Sequence, residues 1–162
     1  MVDDGLANQG YLPSRYAIVV GFGHGSTELN AFDAALHDAG VGDYNLVRVS
    51  SILPPACAAS PVIDLPSGSI LHIAYAFRIA DGADSRVSSA VAIGIPSDDG
   101  KPGVIMERSS DADAASAEEC AKRMAEEAMR LRGNKSYEIK SASAQCGSEG
   151  GYCCTFAGVA LW

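Results

Sequence analysis

The sequence contains one stretch that combines a short strand, a serine pair and two consecutive prolines: Asn45-Leu46-Val47-Arg48-Val49-Ser50-Ser51-Ile52-Leu53-Pro54-Pro55. The apolar and β-branched residues at its start predict a strand. The two prolines end that strand, because proline has no backbone N–H to donate to a neighbouring strand. Taken alone, the serine pair is typical of a turn, since serine side chains hydrogen-bond nearby backbone groups. Its function therefore depends on the surrounding chain.

Upstream of this stretch, the residue pattern predicts a strand followed by a helix. A continuous apolar run predicts a buried strand over 15–22. Thr27 is a suitable N-cap for the helix, and Gly40 suits the position just after its end. The glycine-rich segment 21–27 lies between the two, but it has neither the G-x-G-x-x-G spacing nor the Gly-Lys-Ser/Thr of nucleotide-binding loops. We interpret it as a flexible turn.

Downstream, the pattern predicts further strands and a second helix. Strands are expected over 69–79 and 87–95, joined by the turn-rich segment 81–84 as a hairpin. A short apolar strand over 104–106 is followed at once by Glu107. A helix is predicted over 116–132, with Ser116 and Glu119 as its capping box, and strands over 136–144 and 152–161 complete the chain. This order of elements predicts an α+β fold.

Length and composition limit the function classes. A chain of 162 residues suits one domain. A net charge of −8 argues against nucleic acid or an anionic membrane as partner. The sequence has no apolar run of membrane-spanning length and no signal-peptide pattern, so we expect a cytoplasmic protein. Five cysteines without CxxC spacing and three scattered histidines predict no metal site.

Three segments together resemble one known family, the pyruvoyl-dependent arginine decarboxylases. They are Leu29-Asn30-Ala31-Phe32-Asp33-Ala34-Ala35-Leu36, the segment from Gly40 through Pro55, and Gly103-Val104-Ile105-Met106-Glu107. The most specific part is the block Asn-Leu-x-x-x-Ser-Ser-Ile-x-Pro-Pro, and the resemblance extends from about residue 17 to residue 162. Members of this family are made as inactive proenzymes that cut themselves between the two serines.

The resemblance implies a role for each matching residue. The Ser50–Ser51 bond would be cleaved, giving a β chain of residues 1–50 and an α chain of residues 51–162 that begins with a pyruvoyl group made from Ser51. That covalent group is the implied cofactor, and it would form a Schiff base with the amino group of the substrate. Asn45 is expected to stabilise the oxyanion formed during cleavage, and Glu107 to act as the general acid. Asp33 is expected to pair with the guanidinium of arginine.

The resemblance also implies an architecture and an activity. The expected fold is a single-domain, four-layer αββα sandwich assembled as trimers or dimers of trimers, with active sites between neighbouring subunits. The expected reaction converts L-arginine to agmatine and CO2 for polyamine synthesis. Two alternatives stay open: the same chemistry on another amino acid, or an unprocessed, non-catalytic homologue that serves as a binding or assembly protein.

Overall fold

The structure, a computed structural model, describes residues 11–82, 85–148 and 150–162. Within this part of the chain, strands and two helices form an α+β fold, as predicted. The elements are β1 Arg15–Gly25, α1 Glu28–Asp38, β2 Asn45–Arg48, β3 Ile52–Leu53, β4 Ala58–Ala59, β5 Ile70–Asp81, β6 Ser85–Pro96, β7 Gly103–Ser110, α2 Ala114–Leu131, β8 Tyr137–Ser148 and β9 Tyr152–Leu161.

The strands form two sheets. Sheet A has the order β2-β5-β9-β1-β4, and sheet B has the order β3-β7-β6-β8. The pairs β2–β5 and β1–β4 are parallel, whereas β1–β9, β5–β9 and all pairs in sheet B are antiparallel. β2 and β3 are edge strands of different sheets. The serine pair therefore lies where the chain crosses from sheet A to sheet B.

The sheets pack face to face, with one helix on each outer side. The small residues Ala31 and Ala35 of α1 are fully buried against sheet A. Apolar residues of both sheets, among them Ile105 of sheet B and Val159 of sheet A, fill the space between the sheets. α2 packs Ala121 and its neighbours on the outer face of sheet B. The layers therefore run α1, sheet A, sheet B, α2.

Residues 21–25 of the glycine-rich segment lie in a strand, so the prediction of a flexible turn is wrong for them. Gly21, Gly23 and Gly25 belong to β1 and recur at every second position. A Cβ atom at Gly21 or Gly23 would lie 2.5 Å from a backbone atom of Ala35. Alternating residues share one face of a strand, and here the lack of side chains lets α1 approach the sheet closely.

The predicted hairpin between 69–79 and 87–95 is also wrong. β5 pairs with β2 and β9 in sheet A, whereas β6 pairs with β7 and β8 in sheet B. The chain therefore passes from sheet A, where β5 ends at Asp81, to sheet B, where β6 begins at Ser85. Residues 83 and 84 of the predicted hairpin turn lie outside the described residues. Both strands have mainly apolar sequences, and this pattern does not distinguish a hairpin partner from a strand in the facing sheet.

The caps of the two helices differ in how well the sequence predicted them. Thr27 caps α1 as predicted, and its hydroxyl accepts a hydrogen bond from the backbone N–H of Asn30 at 3.2 Å. In α2 the N-cap is Asp113, which accepts from the N–H of Ser116 at 2.8 Å. The predicted capping box is therefore displaced, because an aspartate three residues earlier provides a cap that starts the helix sooner. Neither helix is long and apolar enough to cross a membrane in the part of the chain described.

Candidate active site

The crossover between the sheets holds the serine pair outside both ladders. β2 runs beside β5, and its last backbone bond to that strand is from Val49 N–H to the carbonyl of Ile73 at 3.1 Å. The chain joins sheet B at Ile52, which pairs with Val104 of β7. Ser50 and Ser51 span the gap, so their peptide bond belongs to neither sheet.

A tight turn encloses that peptide bond. The backbone N–H of Ile52 donates to the carbonyl oxygen of Ser50 at 2.8 Å, which closes a three-residue turn centred on Ser51. The N–H of Ile105, on β7, donates to the carbonyl oxygen of Ser51 at 2.9 Å. The first of these bonds polarises the carbonyl that precedes Ser51. The second fixes the residue against sheet B.

The hydroxyl of Ser51 lies against the carboxyl group of Glu107. Ser51 Oγ is 3.1 Å from Oε1 and 3.2 Å from Oε2 of Glu107. The antiparallel pairing of β3 with β7 stops at Val104, so β7 continues past the start of β3 and brings Glu107 opposite the crossover. The sequence analysis predicted that the strand ends at residue 106, just before Glu107. This boundary is wrong, because β7 continues to Ser110 and includes Glu107. The strand itself aims the carboxyl group at Ser51.

Burial raises the pKa of Glu107. Desolvation is the largest cause, and it outweighs the hydrogen bond from Ser51 and the positive charge of Arg48, both of which lower the pKa. Strand alternation turns Glu107 to the same face as Ile105, which is fully buried between the sheets. A carboxyl group in this position keeps its proton to higher pH than an exposed glutamate does. It can therefore accept or return a proton at a higher pH than an exposed glutamate can.

Arg48 is a site residue that the sequence analysis did not single out. Its Nη2 donates to the carbonyl oxygen of Tyr75 at 2.6 Å, and its guanidinium carbon lies 4.7 Å from the centre of the Tyr75 ring. Its charge acts on Glu107. A basic residue three positions before Ser51 was the available signal, but its partner is twenty-seven residues away in sequence.

Asn45 lies at the opposite end of β2 from the serine pair. Its Nδ2 donates to the carbonyl oxygen of Gly68 at 2.7 Å. Because a strand rises about 3.3 Å per residue, Asn45 lies about 10 Å from Arg48, and Ser50 is farther along the chain. No contact in the described residues joins Asn45 to Ser50 or Ser51 of the same chain. Within one chain, the donor on the Ser50 carbonyl is Ile52 N–H.

Asp33 is exposed on α1, outside sheet A. Its neighbour Phe32 packs its ring 4.8 Å from that of Phe77 on β5, measured between centroids. Phe77 lies 6.3 Å from Tyr75, the residue that holds Arg48. The described contacts do not bring Asp33 to Ser51 or Glu107. A row of aromatic rings instead extends from the helix of Asp33 toward Arg48 and the crossover.

The described residues contain no group of three or more His, Cys, Asp or Glu side chains that could hold a metal ion. Cys153 and Cys154 of β9 are fully buried. Burial raises the pKa of the Cys154 thiol to about 12, which keeps it in the unreactive protonated form. These cysteines therefore contribute to packing.

Comparison with known proteins identifies the family. The family model for pyruvoyl-dependent arginine decarboxylase matches residues 15–162. The chain belongs to this family. It is 38% identical over 150 residues to the pyruvoyl-dependent arginine decarboxylase of Methanococcus aeolicus, covering 93% of this chain and 90% of that protein. It is 37% identical over 151 residues to that of Methanocaldococcus jannaschii, covering 93% and 91%.

A third relative extends the similarity over almost its whole length. The pyruvoyl-dependent arginine decarboxylase of Methanopyrus kandleri is 38% identical over 152 residues, covering 93% of this chain and 98% of that protein.

The family depends on a pyruvoyl cofactor, so the residues around Ser51 should be compatible with such a group. The tight turn centred on Ser51 and the contact of Ser51 with Glu107 fit a serine that is converted in place, so the residues present suit the pyruvoyl group.

Proposed function

We propose that this protein is a self-processing decarboxylase that converts L-arginine to agmatine and CO2, with a pyruvoyl group made from Ser51. The observation that carries the proposal is the contact between the Ser51 hydroxyl and the Glu107 carboxyl group at the crossover. A hydroxyl, an acid–base group and a polarised carbonyl are the parts that cleavage before a serine requires. Membership of the family supports arginine as the substrate.

Cleavage begins at the Ser50–Ser51 bond. Glu107, as a carboxylate, accepts the hydroxyl proton of Ser51 while Oγ attacks the carbonyl carbon of Ser50. The N–H of Ile52 stabilises the negative charge that develops on the Ser50 oxygen. The peptide nitrogen takes up a proton as its bond to that carbon breaks. An ester to Ser51 Oγ then replaces the amide.

The remaining steps convert residue 51. Loss of its α-proton and departure of the Ser50 carboxylate leave dehydroalanine. Water then replaces the nitrogen, which leaves as ammonia. The whole sequence consumes one water and releases one ammonia, so it needs no oxidant or reductant. The products are a β chain ending at Ser50 and an α chain that begins with the pyruvoyl group.

In turnover, Glu107 acts in its protonated form. The pyruvoyl carbonyl, once formed, supplies an electron sink for the bond that breaks when the substrate loses its carboxylate. Glu107 holds a proton close to the former position of Ser51 Oγ. It donates this proton to the α-carbon of the decarboxylated substrate. Its buried position favours the protonated form that this step needs.

We also propose that Asp33 and Asn45 complete the site of a neighbouring subunit. Within one chain, Asn45 lies at the far end of β2 and donates to Gly68, and Asp33 is exposed on α1. An exposed carboxylate is free to pair with the guanidinium of arginine, and burial by a second subunit would strengthen the pair. The amide of Asn45 would then serve the oxyanion of that subunit.

A trimer, or a dimer of trimers, would place these residues at subunit interfaces. The edge strands next to the crossover expose apolar side chains, with relative exposures of 42% for Val47 of β2 and 41% for Ile52 of β3. Unpaired sheet edges that carry apolar residues favour association. The single domain of residues 1–162 would thus be divided by cleavage into chains 1–50 and 51–162 that stay packed together. We propose the cytoplasm as its location and polyamine synthesis as its pathway.

Decarboxylation by the purified protein tests this proposal. We expect agmatine and CO2 from arginine, little product from lysine or ornithine, and no product from any of them with Ser51→Ala. Product from lysine or ornithine in preference to arginine would favour the same chemistry on another amino acid. No product from any amino acid, together with an uncut chain, would favour the non-catalytic alternative.

A further inference from the structure

The backbone ladder between β2 and β5 predicts a partner for Ser51 that the structure does not use. Asn45 N–H donates to the carbonyl of Ser69 at 2.9 Å, and Val49 N–H donates to that of Ile73 at 3.1 Å. In a parallel pair the donors of one strand advance by two residues, and so do the acceptors of the other. The next donor in this register would be Ser51 N–H. The next acceptor would be the carbonyl of Tyr75.

Arg48 occupies that acceptor. Its Nη2 donates to the Tyr75 carbonyl oxygen at 2.6 Å. A hydrogen bond from a charged donor is shorter and stronger than one between neutral groups. The guanidinium carbon also lies 4.7 Å from the centre of the Tyr75 ring, within the range of a cation–π contact. The side chain of Arg48 thus takes the place on β5 that the backbone of Ser51 would take if β2 continued.

The chain after Val49 follows a different course from that of a continued strand. Ile52 N–H turns back to the carbonyl of Ser50, and Ser51 accepts a bond from Ile105 of sheet B. Ser51 Oγ then reaches Glu107. All of these contacts require that the Ser50–Ser51 peptide has left sheet A.

We propose that Arg48 is a positioning residue for self-cleavage: by occupying the Tyr75 carbonyl it ends the β2 ladder at Val49 and directs the Ser50–Ser51 peptide toward Glu107. This inference rests on the proposed function, because it concerns the bond that the proposed function cleaves. Arg48 acts through the backbone of its own strand, and it need not touch the reacting atoms.

The charge of Arg48 has a second effect at the same place. Glu107 faces the hydroxyl of Ser51 at the crossover, Val91 lies opposite it in β6, and the guanidinium of Arg48 approaches from the side of β2. Of the charged side chains described, Arg48 is the one with a resolved effect on the pKa of Glu107, which it lowers. Removing this charge raises the pKa further. A higher pH is then needed to form the carboxylate that accepts the Ser51 proton.

The test follows cleavage of newly made chains. Wild type, Arg48→Met, Arg48→Lys and the control Arg78→Met are synthesised in a cell-free system, and intact mass is recorded over time at several pH values. Arg78 is an exposed residue of β5 that pairs with Asp111 at 2.7 Å, away from the crossover. Circular dichroism and thermal unfolding verify that each variant is folded.

We expect Arg48→Met to slow cleavage at least about tenfold, as the loss of a charged hydrogen bond suggests, and to move the rising limb of the pH profile to higher pH. Arg48→Lys keeps a positive charge and a hydrogen-bond donor. Its cleavage rate should therefore rise over the same pH range as that of wild type and should exceed that of Arg48→Met. Arg78→Met should cleave like wild type.

The possible failures are distinguishable. An uncut wild-type chain would overturn the proposed function, and the inference with it. A wild-type chain that cuts, with Arg48→Met cutting at the same rate and with the same pH limb, would overturn the inference alone. Equal slowing in Arg48→Met and Arg48→Lys with no change of the pH limb would also overturn it, since a merely structural residue would behave in that way.

Discussion

Ser51 Oγ lies within 3.2 Å of both carboxyl oxygens of Glu107, although the two residues are fifty-six positions apart in sequence. The contact joins the crossover between the sheets to the middle of β7. In the proposed cleavage, this contact places the nucleophile beside its proton acceptor. One glutamate can therefore serve in two reactions, first as a base in self-cleavage and later as an acid in turnover.

The first prediction concerns Glu107→Gln. The amide keeps the shape of the side chain but neither accepts the Ser51 proton as a base nor donates one as an acid. We expect cleavage slower by about 10²–10⁴, the range for general acid–base groups, and a similar loss of decarboxylation in the chains that do cut. Intact mass and CO2 release measure the two effects separately. Normal turnover in cut Glu107→Gln chains would remove Glu107 from catalysis.

The second prediction concerns pH. Because burial raises the pKa of Glu107, self-cleavage should increase with pH through that raised value, where the carboxylate forms. Turnover should decrease with pH, where the acid is lost, and at a pH no lower than that at which cleavage rises, because the processed chain lacks the Ser51 hydroxyl whose hydrogen bond lowers this pKa. Cleavage rates and kcat, each measured against pH, test this opposition. Two profiles that rise together would contradict one group acting as base and then as acid.

Stability should follow the same titration. The pKa of Glu107 is raised in the folded state, so between the unfolded and folded values the folded protein binds more protons than the unfolded chain. The free energy of unfolding then decreases as pH rises through this interval. Urea unfolding of the uncut Ser51→Ala chain should show this decrease, and Ser51→Ala/Glu107→Gln should lack it. An identical pH dependence in both chains would mean that Glu107 is not perturbed by burial.

The third prediction tests whether subunits share a site. Asp33→Asn should raise KM for arginine far more than it lowers kcat. Glu28→Gln, at another exposed position of α1, should change neither. Ser51→Ala should have no activity. Coexpression of Asp33→Asn with Ser51→Ala should restore activity, because one subunit supplies Asp33 and its neighbour supplies the pyruvoyl group. Mixed oligomers with no more activity than Asp33→Asn alone would place both residues in one chain.

The fourth prediction concerns the contact between β1 and α1. Gly23→Ala would place a Cβ atom 2.5 Å from the backbone nitrogen of Ala35. We expect the free energy of unfolding to decrease by about 1–3 kcal/mol, as in other overpacked sites. Gly147→Ala is the matched control, since its Cβ would meet its nearest neighbour at an ordinary 3.6 Å. Equal melting temperatures for the two variants would contradict the close packing of helix and strand.

Local sequence patterns predicted much of this fold. The strand from residue 152 to 161 and the Thr27 cap are where the sequence places them, because apolar runs and caps are local signals. The assignment of β5 and β6 to different sheets was not predictable in this way. Their pairing depends on which partner strands arrive from distant parts of the chain, and the apolar pattern is the same in either sheet.

Some residues of the candidate site were predicted from the sequence, and others were not. Family resemblance singled out Ser51 and Glu107, and the structure brings them into contact. Arg48 was missed because its importance depends on where β2 leaves sheet A, which only the register with β5 reveals. The roles of Asn45 and Asp33 stay predictions, since the contacts within one chain do not include the second subunit that would test them.

The central claim concerns one peptide bond, and intact mass measured under denaturing conditions tests it directly. We predict two fragments, residues 1–50 and a chain beginning at residue 51 that is lighter by one ammonia than simple hydrolysis would leave it. Ser51→Ala should give a single uncut chain. A wild-type chain that stays whole on prolonged incubation, or a second fragment that begins with unmodified serine, would contradict the account.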